Sequence, residues 1–281
     1  EMQRSLVGSE MCIRDSIKGG LNDVVMNNSP IDIDKLIEGT NEILTANRNS
    51  LQLFDMLHSM RQFDDLTYVH SVNVALIASI LGQWLKFSEK DIRILTISGL
   101  LHDIGKIMIP NEILTKPGKL TVAEYNIMKQ HVNFGYEKVK NQNIDIRIKE
   151  ACLLHHEKCD GTGYPFGLKS DHIPAVAKII AIADVYDAMT SARVYRGALC
   201  PFEVIDTMYK DAFTKFEPEY ILPFLKNVAS SYINNDVRLS DGRIGKVVLI
   251  NENALSLPIV QCEDEFIDLS KTRGLTVSAI L

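Results

Sequence analysis

Five of the seven histidines in this chain fall between residues 70 and 156: His70, His102, His131, His155 and His156. Apart from the tandem pair, each lies at or near the end of a different predicted helix. Helices that each present one inward imidazole can build a metal cluster in the core of a bundle. Two acids join them. Asp103 follows His102 directly, and Asp184 sits inside the apolar run Ala181-Ile182-Ala183-Asp184-Val185-Tyr186. A buried carboxylate is costly unless it is paired or bound to a metal, so Asp184 asks for a cation. Singly, each of these residues reads equally well as a satisfied core group. Together they require a fold in which several helix ends converge.

The segment Gly99-Leu100-Leu101-His102-Asp103-Ile104-Gly105-Lys106 concentrates this chemistry. Lys106, three residues beyond Asp103, falls near the same face and is suited to a phosphate. Around it the apolar periodicity predicts a mainly α chain. Helices are expected from Ser29-Pro30 to about 47, at 51–60 and at 67–85, the last apolar on most sides and therefore central to the core. Ser88 and Asp91 mark the start of a helix that ends at the His102 segment. Thr121 with Glu124 forms a capping-box signature, with His131 expected late in that helix. Further helices are expected at 144–156, 174–189, 201–214 and 218–232, with a polar, Gly-rich loop at 157–165. From Asp236 the pattern turns to strands: a hairpin about Asp241-Gly242, then pieces at 257–261, 265–269 and 275–281.

The balance of charge is −6, which argues against a nucleic-acid polymer as partner, since polyanion binding needs a basic surface. No apolar run approaches the roughly 20 residues of a spanning helix, so no membrane span is expected. The five cysteines are scattered without CxxC spacing; free thiols in a reducing compartment, and hence a cytoplasmic protein, are the expectation. Residues 1–16 show no clean period and are set aside as a non-native leader. The chain also opens on Glu1 rather than Met, so a native N-terminal segment is expected to be missing.

The segments Tyr68-Val69-His70-Ser71, His102 to Lys106, Lys129-Gln130-His131, His155 to Pro165 and Asp184-Val185-Tyr186-Asp187-Ala188-Met189-Thr190 resemble, in order and separation, the HD-GYP family of bacterial cyclic di-GMP phosphodiesterases. The resemblance spans roughly 60–235. It implies an HD-type helical bundle with N-terminal helices at 17–60, a catalytic domain at 61–235 and a small C-terminal β appendage at 236–281. It further implies two metal ions bridged by Asp103, one on His70, His102 and Asp184, the other on His131, His155 and His156, with a bridging hydroxide. Imidazole-rich ligation suits transition metals better than magnesium, and the resemblance points to iron or manganese. Some relatives hold a third metal through a Glu four residues before the first His. Leu66 stands there and cannot ligate, so two ions are expected.

The same resemblance makes Asp103 and Lys106 catalytic. It assigns substrate contact to Gly163, Tyr164, Pro165, Asp187, Arg193 and Arg196, the two arginines gripping phosphates. It implies cyclic di-GMP as substrate, giving pGpG and then GMP. It also allows a homodimer or a GGDEF-type protein partner at the Gly163–Pro165 loop. Two readings compete: an HD hydrolase for another nucleotide, such as cyclic GMP-AMP or a guanosine polyphosphate, and a non-catalytic cyclic di-GMP receptor. His58 and His172 match no motif and read as structural.

Overall fold

The computed structural model describes residues 19, 22–27, 29–46, 66–191 and 198–281. The leader at 1–16, the helix expected at 51–60, His58, Arg193 and Arg196 lie outside the described residues. The chain divides into two compact units, Glu1–Asp187 and Ala188–Leu281. It is mainly α, with one small sheet at the C-terminal end.

The first unit is helical. A short helical stretch at 22–27 precedes α1 (Ile33–Ala46). Next, α2 (Leu66–Trp84) and α3 (Glu89–Leu101) form its centre. From Val69 to Leu81 nearly every side chain of α2 is buried, as its all-round apolar sequence requires. The Ser88 side chain accepts the Asp91 N–H and so caps α3. The two helices meet at backbone contact: a Cβ on Gly99 would lie 2.4 Å from the Ala75 Cα. A short 3-10 helix, Ile104–Met108, and the single turn α4 (Asn111–Leu114) follow.

The next helix is shorter than its pattern suggests. Thr121 and Glu124 form the full capping box of α5 (Val122–Met128), but α5 stops before the expected His131. That residue instead opens α6 (His131–Val139), after a break at Lys129 and Gln130. Its ring nitrogen Nδ1 hydrogen-bonds the Met128 carbonyl, 2.8 Å away, and so occupies an acceptor left over by the end of α5. Asp145 caps α7 (Ile146–Leu154), which ends just before the His155–His156 pair. The long apolar helix α8 (Ala175–Thr190) completes the core with Ile179, Ile180, Ile182 and Ala183, all buried.

In the second unit α9 (Pro201–Asp211) and α10 (Pro218–Ser231) each begin on a proline, whose fixed φ suits the first helical position. The strands are β1 (Asp236–Leu239), β2 (Ile244–Leu249), β3 (Ile259–Cys262), β4 (Glu265–Asp268) and β5 (Val277–Ile280). They form one antiparallel sheet in the order β4-β3-β2-β1-β5. The expected boundary at 236 is the start of β1. Compactness divides the chain elsewhere, because α9 packs on both α10 and β5 and so joins helices to sheet. Among the described residues, no helix is long and apolar enough to cross a membrane.

Candidate metal centre

The C-terminal ends of α3 and α7 and the start of α6, together with the sides of α2 and α8, bring His70, His102, Asp103, His131, His155, His156 and Asp184 into one cluster. His102, Asp103, His131 and His155 are almost wholly buried. Asp103 lies at the middle, its two oxygens facing different neighbours. Oδ2 is 3.2 Å from His102 Nε2 and 3.6 Å from His70 Nε2, and Lys106 Nζ also reaches it. Oδ1 is 3.3 Å from His131 Nε2 and 3.8 Å from His155 Nε2. Asp184 likewise touches both sides, with Oδ1 3.0 Å from His70 Nε2 and Oδ2 3.8 Å from His156 Nδ1. The donor atoms fall into two groups that could each hold a metal ion: His70, His102 and Asp184, and Asp103, His131, His155 and His156.

The orientation of the imidazoles fits them to be ligands. His102 Nδ1 lies 2.7 Å from the Gly99 carbonyl, and His155 Nδ1 lies 3.0 Å from that of Ala151. His131 and Met128 repeat the arrangement. A carbonyl only accepts, so in each ring Nδ1 carries the proton and the Nε2 lone pair faces inward. His70 is held from behind by Asp187, whose Oδ2 is 2.7 Å from Nδ1. Asn73 donates to the other Asp187 oxygen at 2.9 Å. Carboxylate-backed histidine is a common support for a metal ligand. Three inward atoms, His70 Nε2, His102 Nε2 and Asp103 Oδ1, are buried with no hydrogen-bond partner. Asp184 Oδ1 stands 3.0 Å from His70 Nε2 as an ion-pair contact. Unsatisfied polar atoms converging on a buried carboxylate are what a cation would satisfy.

Electrostatics point the same way. Burial lowers the pKa of His131, His155 and His156, the last to about 3 despite the opposing charge of Asp184. These rings stay neutral, which is the form that binds metal. Burial would raise Asp103 and Asp184, but their neighbours outweigh it and hold both well below the usual carboxylate range: His102 and Lys106 for Asp103, His70 for Asp184. At His70 burial is likewise overcome, by the Asp184 and Asp187 carboxylates, which raise it to about 9.

A pH dependence of the metal-free chain follows. Unfolded histidine titrates near 6.5, so below that pH the unfolded chain takes up protons at His131, His155 and His156 that the folded chain refuses, His156 down to about 3. Stability is lost as pH falls through that window. His70 acts in the opposite sense: its contribution is complete below 6.5 and lost as pH rises through 9. With three groups against one, chelator-treated protein is expected to melt at progressively lower temperature below pH 6.5. An unchanged melting temperature between pH 7 and 5 would contradict the buried, neutral state of these rings.

The other expected site residues are placed as follows. Tyr164 stacks on His156, with ring centroids 4.7 Å apart and planes 29° apart. Gly163 and Pro165 flank it on the same loop. Asp187, expected to touch substrate, is 1% exposed, and each of its oxygens already has a partner in His70 or Asn73. In this position it backs the His70 ring. Two residues were missed. Asn73 lies three positions after His70, a spacing that puts it on the same helix face. Glu157, in the loop read only as polar and Gly-rich, is buried and accepts three backbone N–H groups, from Phe166, Gly167 and Leu168.

A helical unit whose helix ends gather imidazoles and acids around a central carboxylate defines a candidate metal-site protein. Residues 38–220 match the family model described as HD domain, and the chain belongs to that family. The resemblance read from the motifs is borne out at this level. Among curated proteins the chain is 36% identical over 203 residues to a cyclic di-GMP phosphodiesterase of Pseudomonas aeruginosa, covering 72% of this chain and 49% of that one. It is 36% identical over 197 residues to a cyclic di-GMP phosphodiesterase response regulator of Xanthomonas campestris pv. campestris, covering 69% and 52%. A 3'3'-cGAMP-specific phosphodiesterase of Vibrio cholerae is 36% identical over 173 residues, covering 60% and 38%. The chain thus spans about half the length of the first two of these relatives.

Proposed function

We propose that this chain is a metal-dependent phosphodiesterase that hydrolyses cyclic di-GMP to linear pGpG and on to GMP. The observation that carries the reading is the division of the Asp103 carboxylate between two ligand groups, Oδ2 toward His70 and His102 and Oδ1 toward His131 and His155. In this reading Asp103 bridges two transition-metal ions, iron or manganese. His70, His102 and Asp184 hold one; His131, His155 and His156 hold the other. When bound, such a pair makes water acidic enough to act at neutral pH and offsets charge at phosphorus.

The chain's own residues position and neutralise. The carbonyl-anchored imidazoles of His102, His131 and His155 keep their tautomers without reorganising. Lys106, partly exposed beside Asp103, offers ammonium donors to a phosphate oxygen or to the leaving oxygen. Arg193 and Arg196 are assigned to the second phosphate on the strength of the motif resemblance. Phe166, 63% exposed next to Pro165, supports the loop as a surface for a second copy or a GGDEF-type protein. Free thiols at Cys152, Cys159, Cys200 and Cys262 support a cytoplasmic setting.

The cGAMP-specific relative at the same identity favours a second reading, hydrolysis of 3'3'-cGAMP by the same centre. Incubating iron- or manganese-loaded protein with each dinucleotide and separating the products by chromatography decides between them. The expected result is pGpG from cyclic di-GMP at the higher rate. Faster loss of cGAMP would reverse the assignment, and tight binding without product would make the chain a receptor.

Asp187 provides a prediction of its own. Asp187→Ala removes the partner of His70 Nδ1 and frees that ring to turn. Loss of such a support typically costs about 10–100-fold in metal affinity. Calorimetric titration with manganese is expected to show a loss of that size, and unaltered affinity would refute the supporting role.

A further inference from the structure

Four of the five clustered imidazoles are oriented through the nitrogen that faces away from the centre. Backbone carbonyls hold His102, His131 and His155, and Asp187 holds His70. His156 is different. Among the described residues neither of its ring nitrogens has a hydrogen-bond partner, and its Nδ1 is 3.8 Å from Asp184 Oδ2. Its ring packs on His155 at 4.2 Å and edge-on to His131 at 5.0 Å, and the one ring stacked on its face among the described residues is Tyr164 at 4.7 Å.

Tyr164 is in turn held by its loop. Its N–H donates to the His156 carbonyl at 3.2 Å. The loop backbone lies so close to the residues after His155 that a Cβ on Gly163 would be 2.5 Å from Glu157 Cα and Lys158 N. Glu157, 4% exposed, closes the far side of the loop: its carboxylate accepts the N–H groups of Phe166, Gly167 and Leu168 at 2.7, 3.1 and 2.9 Å. The Leu168 side chain packs on Leu154, Ile173 and Ala177. A carboxylate that accepts several backbone N–H groups makes strong, charge-assisted bonds and is costly to remove.

We infer that Tyr164 is a positioning residue for His156, and that Glu157 latches the loop that carries it. Ring stacking and latch together replace the hydrogen bond that orients every other histidine of the cluster. Tyr164 then serves the metal site itself, rather than only contacting substrate at the rim. Stacking fixes a ring plane but leaves both nitrogens free, so His156 is the ligand most dependent on its surroundings.

The inference rests on the two-ion reading, and the test separates the two. Metal-free full-length chain is titrated with manganese(II) by calorimetry, bound metal is counted by elemental analysis, and folding is checked by circular dichroism. The wild type is expected to bind two ions. Tyr164→Leu is expected to weaken one ion by about 10–100-fold and leave the other unchanged, whereas Tyr164→Phe, which keeps the ring face, binds both as the wild type does. Glu157→Gln keeps one acceptor oxygen and turns an amide NH2 toward the loop. It is expected to weaken the same ion by less and to speed deuterium exchange at Phe166, Gly167 and Leu168. If the wild type binds two ions and Tyr164→Leu binds both unchanged, the inference fails alone. Equal weakening of both ions, or a Tyr164→Phe variant as impaired as Tyr164→Leu, also overturns it. A wild type with fewer than two ions removes the two-ion reading and this inference with it.

Discussion

Asp103→Asn is expected to release both metal ions and to lower cyclic di-GMP turnover on the order of a thousandfold or more, since loss of even one group that stabilises developing charge costs 10²–10³. The substitution keeps the shape of the side chain and removes its charge. In the native chain Oδ1 and Oδ2 face separate pairs of imidazoles at 3.2–3.8 Å. An amide must turn an NH2 toward one pair, where inward lone pairs already compete for a proton or a cation. It also leaves Lys106 without its carboxylate partner. The folded chain holds this carboxylate in its charged form, so loss of the charge is also expected to lower the melting temperature. Elemental analysis, product chromatography and thermal melting check the three parts separately. An Asn variant that keeps two ions would refute the bridging role of Asp103.

Gly105→Ala is expected to be the most destabilising single-methyl change near the site. A Cβ at that position would lie 1.9 Å from the His131 carbonyl oxygen and 2.4 Å from the Gly135 N. Both obstacles are backbone, so no rotamer change relieves the clash. The turn after Asp103 and helix α6 must separate. Overpacking that moves backbone costs about 3 kcal/mol or more, which in a chain of this size lowers the melting temperature by on the order of 10 °C. The same separation carries His131 away from Asp103, so manganese affinity is expected to fall with stability. Thermal melting and metal titration check both, and a variant within a degree of wild type would show that the contact yields easily.

Much of this was legible from residue types. The all-round apolar run of α2, the Ser88 cap, the Thr121–Glu124 box and the prolines opening α9 and α10 are local signals, and they mark helices where the structure has them. The grouping of histidines at helix ends was legible too, because ligand chemistry tolerates few substitutes. What escaped depends on contacts distant in sequence. Helix α5 stops two residues short of His131 although Lys129 and Gln130 are good helix formers, since a side chain satisfies its last carbonyls. The resemblance puts Asp187 against substrate; that both its oxygens meet His70 and Asn73, more than a hundred residues earlier, depends on tertiary contact alone. Glu157 carried no signal at all: its three partners are backbone groups. The division at 187 and 188 also has no linker composition to announce it, because it falls inside α8.

The orphaned nitrogens of His70 and His102 and the bare oxygen of Asp103 have a consequence for supply as well as for chemistry. A ligand that binds only the folded state at 100 times its dissociation constant adds about 2.7 kcal/mol to stability. An increment of that size changes the unfolded fraction about a hundredfold, and the unfolded fraction is what proteases harvest. In a cell starved of the metal, this chain is therefore expected to become scarce as well as idle. Its abundance would then report the metal status of the cell, and on the proposed activity the lifetime of cyclic di-GMP would lengthen when the metal runs short.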